Sequence, residues 1–398
     1  MLALTPCAIL ILRAAHDPAL NEGDPTTWSA VWEVVGRRQY GDFALWPRHA
    51  PLWLQAAQFF EYMDWQVALS LAPRAAPAVA RTAVTLAFLG LGAAGCRAHR
   101  RADRRSWRAL VTLFACASVG LVLYLNFNAG YSLGYGLLPE GTAHEVRERD
   151  YFFALAFWTW GAWVGVGAVG LASRIDRRLV PAGVAIAALP VALNWRAMDL
   201  ARGVGRDGAR TVARALLWGA PRDAVLVAVG DHDTFLLWYA QIVEGARPDV
   251  TVASAPLLYA DWYDAELARR HGLDVHSTGD PLHALADAAR RRGRPLAIAI
   301  TADSGTRAAL GGAWMLRGLT FVPADSSGIR PTPSMPAVDS AAAAAFVREF
   351  GVPALPPEDA IDGSPRSMIA LVRCPAAYLA IARGAVAADS LASSCNLR

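Results

Sequence analysis

ALVTLFACASVGLVLYL at residues 109–125 and FFALAFWTWGAWVGVGAVGLA at residues 152–172 are two apolar runs separated by a loop. The loop ends in a charged cluster, Glu145-Val146-Arg147-Glu148-Arg149-Asp150-Tyr151. Each run approaches the roughly 20 apolar residues that cross the hydrocarbon core of a bilayer. Ionisable groups at the mouth of such a helix are costly unless they pair or meet a polar ligand. The cluster therefore marks either a charge-paired helix cap or the rim of a site at a membrane surface. Arg147 and Arg149 offer planar forks of donors suited to a lipid-linked phosphate. Glu145, Glu148 and Asp150 are equally placed to neutralise them.

Working outward, three further apolar segments appear at 2–12, 76–96 and 179–195. The first is short, contains Pro6, and lacks the positive start and small-residue cleavage site of a signal peptide. It reads as the back end of a longer helix. Arg97, Arg100, Arg101, Arg104, Arg105 and Arg108 face a single acid, Asp103, between the second and third segments. Arg174, Arg177 and Arg178 stand against Asp176 between the fourth and fifth. The positive-inside rule puts both loops in the cytoplasm and the 13–75 segment, the 126–151 loop and everything after Trp195 on the other side. Five tryptophans between Trp28 and Trp65 suit a headgroup region, and Pro47–Leu71 reads as a helix lying on or dipping into the interface.

The chain has 398 residues, of which 55% are hydrophobic and 18% charged, too apolar for an ordinary soluble protein. The excess lies before Trp195; beyond it the pattern is globular. All 38 basic side chains apart from histidine are arginines, and nine of them stand in the two membrane-flanking loops against two acids, Asp103 and Asp176. The net charge of +4 thus marks orientation and excludes a nucleic-acid footprint.

Beyond Trp195, 224–229, 250–254 and 296–301 read as strands. Helical patterns occupy 234–243, 262–271, 281–292, 341–350 and 368–391, with a Pro-rich stretch at 323–336. Alternating strands and helices imply βαβ units. The expected fold is a multi-pass α-helical membrane domain followed by a soluble α/β domain with a mainly parallel sheet and C-terminal helices. Its divisions are a membrane domain at 1–198, an extracytoplasmic α/β domain at 199–330, and a linker with C-terminal helices at 331–398. Cys374 and Cys395 are the only cysteines of the soluble half, so an oxidising compartment would let them pair.

Two stretches could carry chemistry besides the charged cluster. Gly230-Asp231-His232-Asp233-Thr234 follows the first soluble strand, where ligands of open α/β sheets usually bind. Asp231 and Asp233, with His232 beside them, could hold a divalent ion or a sugar hydroxyl. Equally, Asp233 could cap the helix that begins at Thr234. No other cofactor signal is present. Asn21-Glu22-Gly23-Asp24-Pro25 offers two carboxylates, Glu22 and Asp24, to a hydroxyl nucleophile, or is simply an exposed turn.

Taken in order, 16–25, Arg147-Glu148-Arg149-Asp150-Tyr151 and 230–239, continuing through 244–250 to Asp261-Trp262-Tyr263, resemble the bacterial protein O-mannosyltransferase-like membrane family, glycosyltransferase family 117. The resemblance covers about Arg13 to Tyr263. It implies the C-terminal part of a lipid-sugar-dependent glycosyltransferase bundle in the inner (plasma) membrane. It further implies transfer of a sugar, mannose, from a polyprenyl-phosphate carrier to an acceptor outside the cytoplasm, including protein hydroxyls. The partners so implied are the lipid bilayer, the polyprenyl-linked sugar and an unidentified acceptor. The family's catalytic acid lies on a loop preceding the point where this sequence begins, so an N-terminally truncated form is expected and no residue here matches that acid. The alternative is a membrane-anchored, non-catalytic protein that binds a glycan or polypeptide. A transporter ranks lower, because paired polar residues inside the apolar runs are scarce.

Overall fold

The structure is a computed structural model. It describes residues 5–36, 44–71, 78–130, 133, 139, 142–145, 148–198, 205–276, 279–324, 337–355, 364–382 and 395. Arg147, most of the Pro-rich stretch and the end of the last expected helix lie outside these residues. The chain divides into two units. One comprises Phe43–Arg202 with Pro357–Gly363; the other comprises Met1–Asp42, Gly203–Pro356 and Ser364–Arg398.

The chain opens with two short helices, α1 (Thr5–Ala14) and α2 (Trp28–Val35), which belong to the second unit. With ten residues, α1 is too short to cross a bilayer.

The first unit is helical: α3 (Leu52–Ala68), α4 (Val79–Ala102), α5 (Arg104–Ala115), α6 (Leu121–Leu125), α7 (Ala154–Ile175) and α8 (Val180–Met198). A π-helical turn, Cys116–Gly120, joins α5 to α6. Four helical stretches are long and apolar enough to cross a membrane: Val79–Ala102, Arg104–Leu125, Asp150–Ile175 and Arg177–Trp195. Helix α3, within the stretch expected at the interface, buries Gln55, Gln58, Tyr62 and Asp64 among its neighbours and leaves Leu52, Trp53 and Phe60 exposed. Polar side chains explain that position. Asp64 forms a buried ion pair with Arg81 of α4, and Asn194 of α8 accepts from Leu69 N (2.6 Å) and donates to Gln66 O (2.7 Å), closing the end of α3. Arg48 donates to the carbonyls of Val122 and Leu123, which α6 leaves unsatisfied at its end. Helices α4 and α7 touch backbone to backbone. A Cβ on Gly95 would lie 1.8 Å from the Trp163 carbonyl oxygen, and one on Gly167 would lie 2.0 Å from that of Leu91.

The second unit is α/β. Its remaining elements are α9 (Gly205–Gly219), β1 (Val225–Ala228), α10 (Asp231–Ile242), β2 (Thr251–Ser254), α11 (Asp261–His271), α12 (Pro281–Arg291), β3 (Leu296–Ala299), α13 (Ser304–Leu310), β4 (Trp314–Arg317), β5 (Thr320–Pro323), β6 (Ala337–Val338), α14 (Ser340–Phe350) and α15 (Ser364–Ala382). The strand order is β2-β1-β3-β5-β4-β6. Successive residues of β1 serve opposite faces of the sheet. Leu226 and Ala228 join the core formed with α9 and α15, and Val225 and Val227 join that of α11 and α12. Burial on both faces explains the unbroken apolar run of β1.

The sheet is mixed: three of its five pairings are parallel, that of β4 with β6 among them, and the expected parallel character holds in part. Strand β1 runs parallel to β2 and β3, but β5 is antiparallel to both β3 and β4. The cause is a hairpin whose two-residue turn, Gly318-Leu319, reverses the chain. Gly318 has φ +62°, and a Cβ there would meet Phe346 and Trp218 at 2.9–3.0 Å. Cys374 of α15 and Cys395 form a disulfide with Cα atoms 5.7 Å apart.

Candidate functional site

Alongside the edge strand β2 the α/β unit holds a cavity of about 850 Å³. One wall is the 19–23 turn with Glu33 and Val34 of α2; the other is built from α10, β2 and α11. The first wall is shaped by local chemistry. Asn21 Nδ2 donates to Asp24 Oδ1 (2.7 Å), Gly23 takes φ +79° and Asp24 φ 38°, and Thr27 Oγ1 accepts from Ala30 N (3.2 Å) to start α2. The second wall follows from the turn after β1, where Gly230 caps the next helix. Helix α10 starts there, and its residues 231, 234, 235, 238, 241 and 242 recur at helical spacing along the cavity.

The cavity gathers Glu22, Asp231 and Glu266 with the rings of Phe235, Trp238 and Trp262. The side chain of Glu266 is only 14% exposed and lies 3.4 Å from Arg270 Nε. Burial pushes its carboxyl above the usual range, and the arginines at 270 and 269 pull the other way without cancelling that rise. Tyr263, also in the wall, accepts from Ser254 N (2.9 Å), and burial pushes its phenol up to about 12. Three buried atoms of wall side chains, Thr234 Oγ1, Trp262 Nε1 and Arg270 Nε, have no hydrogen-bond partner among the described residues.

The residues marked in the sequence separate into four groups. Glu22 and Asp231 line the cavity, while Asp24 shapes its turn. Exposed His232 lies outside the lining. Asp233, 1% exposed, uses both oxygens internally: Oδ1 accepts from Gly230 N (2.8 Å) and Thr234 N (2.9 Å), and Oδ2 accepts from Val229 N (3.1 Å) and the Thr301 hydroxyl. Among the described residues no three His, Cys, Asp or Glu side chains group as metal ligands. Asp233 thus fixes the start of α10.

Glu148, Arg149 and Asp150 are in the helical unit. Glu148 is buried and accepts from Gln58 Nε2 (2.9 Å) and the Tyr62 hydroxyl (2.6 Å). Arg149 donates to Glu145 Oε2 through Nε (2.7 Å) and Nη2 (2.5 Å), and Glu145 Oε1 accepts from Asn128 N (2.8 Å). Asp150 begins the short 3-10 turn that leads into α7.

Trp238 and Trp262 lie in the stretches that carry the family resemblance but were not singled out as site residues, and Glu266 and Arg270 were not marked at all. The two acid–base residues stand at i and i+4 on α11, a spacing also common on ordinary solvated helices.

A family model described as TMEM260-associated domain 2 matches residues 209–277, which contain the α10–β2–α11 wall. The mouse protein O-mannosyl-transferase TMEM260 is 38% identical over 68 residues, 17% of this chain and 10% of that protein. The aligned part is therefore a small fraction of the relative's length. No solved structure matches the chain. The similarity is to an O-mannosyltransferase-like family, and the matched domain lies in the α/β unit.

Proposed function

We propose that the protein is a membrane glycosyltransferase of the type represented by glycosyltransferase family 117, moving mannose from a polyprenyl-phosphate carrier to a hydroxyl acceptor outside the cytoplasm. The observation that carries this reading is the 38% identity over 68 residues to a protein O-mannosyl-transferase, beside the related domain model that matches 209–277. The four long apolar helices supply a membrane anchor of the expected kind. The Cys374–Cys395 disulfide suits an oxidising, extracytoplasmic location for the α/β unit.

In the transfer, the acceptor oxygen forms a bond to the anomeric carbon as the bond from that carbon to the phosphate oxygen breaks. The electron pair departs with the polyprenyl phosphate, and the hydroxyl proton passes to a carboxylate base. No residue of this chain is assigned as that base.

A second reading, a non-catalytic glycan- or polypeptide-binding protein anchored in the membrane, is favoured by the cavity itself. Membranes from cells producing the full chain, supplied with polyprenyl-phosphate mannose labelled in the sugar, decide between the two. Labelled protein or glycan above the level of membranes lacking the chain supports transfer. Absence of transfer, with the chain folded and inserted, leaves the binding reading.

A further inference from the structure

We propose that the α4–α5 and α7–α8 turns together form a surface that binds the phosphate headgroups of anionic phospholipids. The proposal rests on the reading of the apolar helices as membrane spans and is independent of sugar transfer.

Buried contacts bring the two turns to one end of the helical unit. Asp64, near the end of α3, pairs with Arg81 in the first turn of α4. Asn194, near the end of α8, bonds Leu69 and Gln66 at that same end of α3. From there α4 runs on to Ala102 and α8 runs back to Val180. At 1.5 Å per residue, both turns lie roughly 20–30 Å away, at the opposite end.

Arg97, Arg100 and Arg101 close α4, while Arg104, Arg105 and Arg108 open α5. Arg174, Arg177 and Arg178 occupy the other turn, and all of these side chains are exposed. The two acids of the turns are engaged as caps. Asp103 accepts from Arg105 N (2.8 Å) and the Ser106 hydroxyl (2.6 Å), and Asp176 accepts from Arg178 N (2.9 Å). Among the described residues no arginine of either turn forms an ion pair.

Helix stability does not account for this placement. Arginines suit the C-terminal end of α4, but Arg104 and Arg105 begin α5, and Arg177 and Arg178 directly precede α8, where the helix dipole repels cations. The first turn of α5 holds no acid to offset them.

Two features select a lipid over a soluble polyanion. Leu171, Ile175 and Leu179 are exposed beside the arginines, Ile175 by 70%, so the turns meet acyl chains and phosphates together. Trp107, with the Arg100 guanidinium 5.1 Å above its ring, has the half-polar body that suits headgroup depth. Basic clusters at the ends of membrane helices are drawn to anionic leaflets in this way. A nucleic acid would match the charge and leave the apolar side chains bare.

The test is titration of the full chain in dodecyl maltoside with dioctanoyl phosphatidylglycerol and dioctanoyl phosphatidylcholine, read by thermophoresis. Phosphatidylglycerol should bind at least about tenfold more tightly, and the preference should shrink between about 50 mM and about 500 mM salt. Replacing Arg104, Arg105, Arg177 and Arg178 by Gln should abolish the preference, and Lys at the same positions should retain it. Arg222→Gln with Arg290→Gln, at exposed positions of the α/β unit, should leave it unchanged. If the glutamine variant fails to fold, the salt series and the lipid pair decide. Equal binding of the two lipids, a folded glutamine variant that keeps the preference, or a preference unmoved by salt overturns the proposal. So does displacement of the lipid by equimolar inorganic phosphate, or binding of heparin where the lipid does not bind. Release of the chain from membranes by alkaline carbonate would overturn the span reading as well; equal lipid binding by a chain that stays in the membrane overturns the proposal alone.

Discussion

Asp17 is gripped at both carboxylate oxygens by Arg269, whose Nη1 and Nη2 each lie 2.8 Å from an oxygen, across 252 residues of sequence. Arg270 adds a contact to the same carboxylate and another to Pro18 O (2.6 Å). This fork ties the turn bearing Glu22 to the helix bearing Glu266. It thereby sets the width of the cavity.

Asp17→Asn should loosen residues 5–36, read as faster limited proteolysis at Arg13. The Arg269 hydrogen bond, only partly opposed by burial, holds the Asp17 carboxyl below its usual range. A depressed carboxyl stabilises the folded state above its unfolded pKa, near about 3.9, and loses that effect as pH falls through the lower folded value. Protection of the segment should therefore be flat from neutral pH down to about 4 and fade below. Salt should weaken it as well, since both partners are half exposed. Equal cleavage of variant and parent at neutral pH would show that the pair does not hold the segment.

Orientation has its own test. If the four apolar helices all cross, the chain returns to the side it left, as a contact between Asp17 and Arg269 requires. Arginines flanking Asp103, whose carboxylate accepts from Arg105 N (2.8 Å), then mark the cytoplasmic turn. Reporters fused at Ser106 and at Arg222 should fall in opposite compartments. A shared compartment would overturn the crossing pattern.

Arg149→Lys should lower the thermal stability of the detergent-solubilised chain by about 1–2 kcal/mol, because lysine cannot reproduce the paired donation to Glu145. Binding of undecaprenyl phosphate by the folded fraction should stay unchanged. A loss of that binding at constant stability would assign Arg149 to a lipid phosphate instead.

Thiol labelling of oxidised protein should modify Cys7, Cys96 and Cys116 and spare Cys374 and Cys395. Reduction should destabilise the α/β unit by about 3 kcal/mol, the cost expected when a loop of this length is opened. Labelling of all five residues without reductant would remove the bridge.

Some of this architecture is plain in the sequence. Strands β1, β2 and β3 lie within the expected runs because burial on both faces leaves short, dense apolar stretches between turn residues. Helices α10, α11 and α12 carry clear periodicity, and the Arg-rich turns stand out by charge. The β4–β5 hairpin does not, since β4 is mostly half-buried and ends in Arg317, and β5 ends in Pro323. Nor does the membership of 5–36 in the α/β unit, which depends on ion pairs between residues some 250 apart and has no local signature. At the cavity, Glu22 and Asp231 are visible because carboxylates in turns draw attention. Trp238 and Trp262 look like any aromatic on a helix until the fold shows which face they occupy.

The separation between Asp17 and Arg269 also sets an order in time. At synthesis rates of about 5–20 residues per second, residue 17 leaves the ribosome roughly 13–50 s before its partner. Throughout that interval the helices of the helical unit are emerging, and the turn at 19–23 has no opposite wall. A ligand of the cleft thus meets no site on a nascent chain, and occupancy reports that translation has passed α11.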